Sequence, residues 1–126
     1  MSSIAEQGYG QVRRETATPR TVEHKVLMSI AAEIEAADPS TPDGYRALGI
    51  AIHRNTELWT AFAADLSSTT NPLDDQLKAG LISLANFSIK HGLDVLSGGA
   101  DRTSLVNINR TVAAGLAQAA SNNEAA

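Results

Sequence analysis

Cysteine is absent from this 126-residue sequence. That removes disulfides, thiolate metal ligands and thiol nucleophiles together, and is compatible with a reducing cytosol. Aromatic residues are scarce, with one Trp, two Tyr and two Phe. A core must therefore come from Leu, Ile, Val and Ala, a composition that favours helix packing over a β-sandwich. Basic residues do not cluster beyond Arg13-Arg14, and the net charge is −4. That balance argues against direct nucleic-acid binding, which needs concentrated Lys and Arg. No apolar run exceeds a few residues, so no membrane insertion is expected. The opening MSSIAEQGYGQVRRE has no apolar stretch of the kind a Sec signal carries. The expected location is the cytoplasm.

What is present suits one helical domain. Hydrophobic residues make up 43% of the chain, and folding at this size buries roughly two thirds of the unfolded surface. Residues 1–17 are polar and without clear period. They read as a flexible arm, with Tyr9 as its large apolar anchor. Residues 18–118 read as a single helical domain and 119–126 as a flexible tail. Three helices open on a Thr/Asn-Pro pair, at Thr18-Pro19, Thr41-Pro42 and Asn71-Pro72. The first residue of each pair can cap, while proline tolerates the first helical position because its missing N–H would have no partner there.

The first helix carries the stripe Val22, Val26, Leu27, Ile30, Ile34 and Ala37, and ends at Asp38-Pro39. Glu23 projects into that stripe, where a carboxylate needs a cation or several donors. Either a structural ion pair with an arginine or a partner contact would supply them. The second helix places Tyr45, Leu48, Ile52, Asn55, Trp59, Phe62 and Leu66 at alternating spacings of three and four, an unbroken heptad seam. Asn55 is its one polar member, a device that usually fixes register, and the Trp59 indole N–H wants an acceptor.

The third helix, expected over Asn71–Leu96, is apolar on two adjoining faces. Leu77, Leu81, Leu84 and Val95 form one, with Ser88 and His91 beside them; Ile82, Ala85, Ile89, Leu93 and Leu96 form the other. An ordinary surface helix needs an apolar arc of about 100°; this one covers about twice that. It must be covered from two sides, by sibling helices, by a partner, or by both. Gly80 and Gly92 within it suggest close backbone approach, and Ser97-Gly98-Gly99 ends it. The short link Ser67–Thr70 makes an antiparallel hairpin of the second and third helices. The last helix, starting near Asp101 or Thr103, has the narrow stripe Leu105, Ile108, Val112 and Leu116, with Asn109 on its margin and Arg110 further round. The expected fold is an all-α bundle of about four helices with a long central antiparallel hairpin.

No catalytic, cofactor or metal motif emerges. His24, His53 and His91 fall on different helices and lack the spacing of a helical metal pair. There is no HExxH, no EF-hand loop, no GxGxxG or Walker glycine pattern, and no GxSxG elbow. From the residues alone, the chain reads as a non-enzymatic interaction module.

Four segments, in order, resemble the flagellar biosynthesis regulator FlaF family of alphaproteobacteria. They are Tyr9 with Thr16-Ala17-Thr18-Pro19-Arg20 and Glu23; Asn55-Thr56-Glu57-Leu58-Trp59 with Asp65-Leu66; Asn71, Leu73, Leu77, Leu81-Ile82-Ser83-Leu84-Ala85 and His91; and Leu105-Val106-Asn107-Ile108-Asn109-Arg110 with Gly115-Leu116. Asp74 stands where the family pattern carries proline, a difference confined to the start of the third helix. The resemblance implies a non-enzymatic role in flagellum assembly, without cofactors, in which the protein is needed for flagellin production or export alongside the regulator FlbT.

Three functions follow as expectations. The first is a chaperone or adaptor that binds flagellin before secretion, offering an apolar groove to the client's amphipathic terminal segments. The second is a post-transcriptional regulator acting on flagellin mRNA directly or through a partner, and the third a structural homo-oligomer whose extra apolar face covers itself. Where resemblance and physics coincide, the candidate partner-binding residues are Arg20, Glu23, Asn55, Trp59, Asn109 and Arg110. The Ile82, Ile89, Leu93 and Leu96 face is where sibling helices and a client would compete.

Overall fold

The computed structural model describes the backbone from residue 19 to residue 125 and side chains from residue 23 to residue 118. Four helices follow in order: α1 Pro19–Ala36, α2 Pro42–Leu66, α3 Asp75–Leu96 and α4 Thr103–Ala125. The Arg20 side chain, the Thr18 cap and the residue 1–17 arm lie outside the described residues. The tail assignment concerns side chains beyond residue 118, which also lie outside them, although the α4 backbone stays helical to Ala125.

Local chemistry sets the helix ends. Asp38 Oδ1 accepts from the Ser40 N–H at 2.9 Å and from its hydroxyl at 2.7 Å, turning the chain after α1. Thr41 then caps α2, its Oγ1 accepting from Gly44 N at 3.0 Å. This turn is so tight that a Cβ on Gly44 would sit 1.7 Å from the Asp38 carbonyl oxygen. At the far end of α3, Gly98 adopts φ +85°, Gly98 N donates to Val95 O and Gly99 N to Asp94 O. That is a Schellman closure, which a left-handed glycine makes without steric penalty.

The start of α3 departs from the expectation. Asn71-Pro72 does not open the helix. Asn71 Oδ1 accepts from Leu73 N at 3.0 Å, while its Nδ2 donates to Asp65 Oδ2, also at 3.0 Å, pinning the link back onto α2. Asp74 is the cap instead, accepting from Leu77 N at 2.9 Å. Its charge suits a helix N-terminus, so the better cap, three residues on, wins and the link runs from Ser67 to Asp74.

The helices pack as a ring in chain order. α1 lies most extensively along α4 and α2 along α3, α1 meets α2 over a shorter length, and the α3–α4 seam is the sparsest of the four. The core is aliphatic around Trp59, with Leu27, Ile30, Ile34, Leu66 and Leu105 almost wholly buried. Six of the seven seam residues on α2 are buried as expected. The seventh, Tyr45, is 49% exposed and donates its hydroxyl to the Leu96 carbonyl at 2.6 Å, fastening the hairpin at one end. Gly92 permits the close approach anticipated for it: a Cβ there would meet Ile52 Cγ2 at 3.0 Å. Gly80 does not, because its Cβ position faces open space.

The last helix buries more than its large apolar residues indicate. Val106, Asn109 and Ala113 join Leu105, Val112 and Leu116 in the interior, and Asn109 is at the centre of the buried face, not its margin. The small side chain of Ala113 lets α1 come close, and His24 Nδ1 lies 2.8 Å from its carbonyl oxygen, positioned to donate. Arg102 closes the opposite end of that pair, donating to the carbonyls of Ile34 and Ala37 where α1 has no further turn to satisfy them.

Candidate interaction surface

Three of the polar candidates meet in the interior. Asn109 Oδ1 accepts from Trp59 Nε1 at 2.9 Å, and Asn109 Nδ2 donates to Asn55 Oδ1 at 2.8 Å and more weakly to the Leu27 carbonyl at 3.5 Å. All three side chains are at most 1% exposed. Asn55, Trp59 and Asn109 are therefore not a surface for a partner in the folded bundle. They form a satisfied polar cluster that joins α1, α2 and α4. Such a cluster holds one register, because any slip strands buried donors and acceptors. Trp59 also stacks on Phe62 with ring centroids 5.6 Å apart.

Of the charged candidates, Arg110 is engaged in an ion pair between α4 and α1. Arg110 makes a two-pronged bond to Glu35, with both nitrogen–oxygen distances 3.0 Å. The guanidinium hydrogen bonds hold the Glu35 carboxyl below its usual range and raise Arg110 in turn. Another bridge, this one between α1 and α2, joins Glu33 to Arg54. Glu23 is half-buried on α1. Asp101 accepts from the Thr103 N–H and hydroxyl, which lower its pKa and start α4.

The third helix divides differently from its two sequence faces. A central line of Leu81, Ala85, Ser88, Gly92 and Val95 is buried, and the outer edge of each face stays at the surface. On one flank Ile82, Ile89 and Leu96 are half-buried against the core and Leu93 is 67% exposed. On the other, Leu84 is half-buried while Leu77 and Phe87 are 46% and 48% exposed. Phe87 belonged to neither apolar face in the sequence. It stacks on His91, four residues on, at 5.0 Å between centroids. That i, i+4 aromatic pair was the available signal. His91 Nε2 lies 2.8 Å from the Asp101 carbonyl, tying α3 to the start of α4. Beneath this flank the Ser88 hydroxyl is buried without a hydrogen-bond partner. Among the described residues no three His, Cys, Asp or Glu side chains gather as metal ligands, and no helix is long and apolar enough to cross a membrane.

The fold and these surfaces define a small all-helical bundle protein with Asn55, Trp59 and Asn109 locked inside and apolar side chains left along both flanks of one helix. A family model described as flagellar protein FlaF matches residues 5–116, and the chain belongs to that family. Membership gives the protein a role in flagellar biology. No curated protein and no solved structure matches the chain.

Proposed function

We propose that this protein is a non-enzymatic, cytoplasmic chaperone or adaptor that binds flagellin before export, and that the client lies on the Ile82–Ile89–Leu93–Leu96 flank of α3. The observation that carries this reading is Leu93, 67% exposed in line with three half-buried aliphatic residues. Tyr45, bonded to Leu96 O, extends the apolar surface across to α2. An amphipathic client helix laid here covers that strip through its own i, i+3, i+4 and i+7 side chains. A client that folds on binding spends part of the contact energy on ordering. Moderate affinity suits a cargo that must be released again.

The test is co-elution of purified protein and flagellin from a sizing column at micromolar concentrations. A complex is expected with the wild-type chain and its loss with Leu93→Asp, whose stability should change by no more than about 0.5 kcal/mol because the side chain is exposed. Absence of any complex refutes the reading. A Leu93→Asp variant that still co-elutes fully moves the client off this flank.

A further inference from the structure

We infer that two copies of this protein pair through the outer face of α2, laid antiparallel about a two-fold axis beside Ile50 and His53. This face is opposite the buried seam of α2 and separate from both flanks of α3. Arg46, Ile50, His53 and Glu57 follow one another along it at spacings of four, three and four residues, and all are exposed. An open groove of about 830 Å³ runs beside them, lined by residues of α2 alone, Gly49 among them. Nothing lies within 4 Å of where a Gly49 Cβ would be. A glycine inside a helix weakens it, and no described neighbour requires one here. Ile50 is 58% exposed, and Arg46 makes no ion pair among the described residues.

The order of charges selects a second copy as the occupant. Two α2 helices set antiparallel and centred between residues 51 and 52 bring Arg46 of each copy opposite Glu57 of the other. At 1.5 Å per residue the two ion pairs stand about 16 Å apart, with Ile50 and His53 of both copies between them. Glu57 is held along this face by His53, at 3.4 Å. The absent side chain of Gly49 leaves room beside the axis for one from the other copy. A parallel arrangement would instead set Arg46 against Arg46 and Glu57 against Glu57. The contact is isologous and closes at two copies. One helix per copy makes a small interface, so the dimer is weak, with a Kd above about 1 μM.

The test is sedimentation equilibrium of the full-length protein from about 1 μM to about 1 mM, which spans that weak range. Arg46→Glu or Glu57→Arg turns both attractive pairs repulsive, and each is expected to weaken self-association by about tenfold or more. Both positions are exposed, and melting curves verify folding. The double variant Arg46→Glu/Glu57→Arg is expected to dimerise as the wild type does, because swapping both signs restores both pairs. Mixing the two single variants is expected to give a dimer with one copy of each, since every charge then faces its opposite. A wild-type chain that stays monomeric throughout overturns the inference. So does a dimer indifferent to the single swaps, which puts the contact elsewhere, or one that the double swap fails to restore. Flagellin takes no part in these measurements, so their outcome is independent of the client proposal.

Discussion

Asn109→Leu is the substitution that tests the interior most sharply. Leucine keeps the branched shape of asparagine and is somewhat larger, so no cavity opens, but both strong hydrogen bonds disappear. The Trp59 indole N–H and the Asn55 side-chain oxygen, each at most 1% exposed, are then left unpaired. A stranded buried polar group costs about 1–3 kcal/mol. Two of them, less a small gain from the more apolar side chain, give an expected loss of about 2–5 kcal/mol. In a domain of this size that is a fall in Tm of roughly 8–20 °C. The assay is urea unfolding followed by Trp59 fluorescence, with circular dichroism as a second probe. Adding Asn55→Leu should recover part of the loss, because only the indole is then unsatisfied, so the cycle should give a coupling above about 1 kcal/mol. A loss under 1 kcal/mol for Asn109→Leu, or strict additivity with Asn55→Leu, would refute the claim that this cluster holds the register.

Other outcomes follow from the same geometry. Gly80→Ala should stabilise the bundle by about 0.5–1 kcal/mol through helix propensity, whereas Gly92→Ala should fall short of that gain because its Cβ presses on Ile52; parallel thermal melts decide. Gly44→Ala should destabilise by at least about 1–3 kcal/mol, since its Cβ cannot coexist with the Asp38 carbonyl; chemical denaturation measures it. The lowered pKa of Glu35, set first by its hydrogen bond to Arg110, contributes stability above the ordinary carboxylate range that is lost as pH falls through the folded value. Glu35→Gln should therefore flatten the acid side of a Tm-against-pH curve and leave its neutral side nearly level.

The helices were legible because their signals are local. Thr41-Pro42 delivers both cap and first-turn proline, and the α2 heptads bury six of the seven residues they point inward. Asn71-Pro72 misled for an equally local reason: Asn71 is taken up by Leu73 N and Asp65, and Asp74 competes for the cap. The interior of α4 was harder to read. A stripe counted from large aliphatics passes over Ala113, whose smallness brings α1 near and shifts the buried face onto Asn109. That Asn109 answers both Trp59 and Asn55 is a tertiary fact, made across separations of 50 and 54 residues. Sequence pattern supplied three polar residues needing partners, without saying that they satisfy one another. The exposure of Leu93 was likewise hidden, since periodicity gives the width of an apolar arc and not which edge the neighbours leave bare.

The pairing of α1 with α4 has a consequence for how the chain acquires its shape. The largest helix–helix contact joins segments separated by most of the domain's length, so its loop closes late and at the highest entropy. The α2–α3 hairpin, by contrast, joins neighbours through a short link. During synthesis α2 and α3 can meet while α4 is still inside the ribosome. Until α4 emerges, Leu27, Ile30 and Ile34 on α1 lack their main cover and Trp59 lacks its acceptor. The nascent protein thus spends its own assembly as a sticky, half-closed hairpin, and commits to its final form only when the last helix docks.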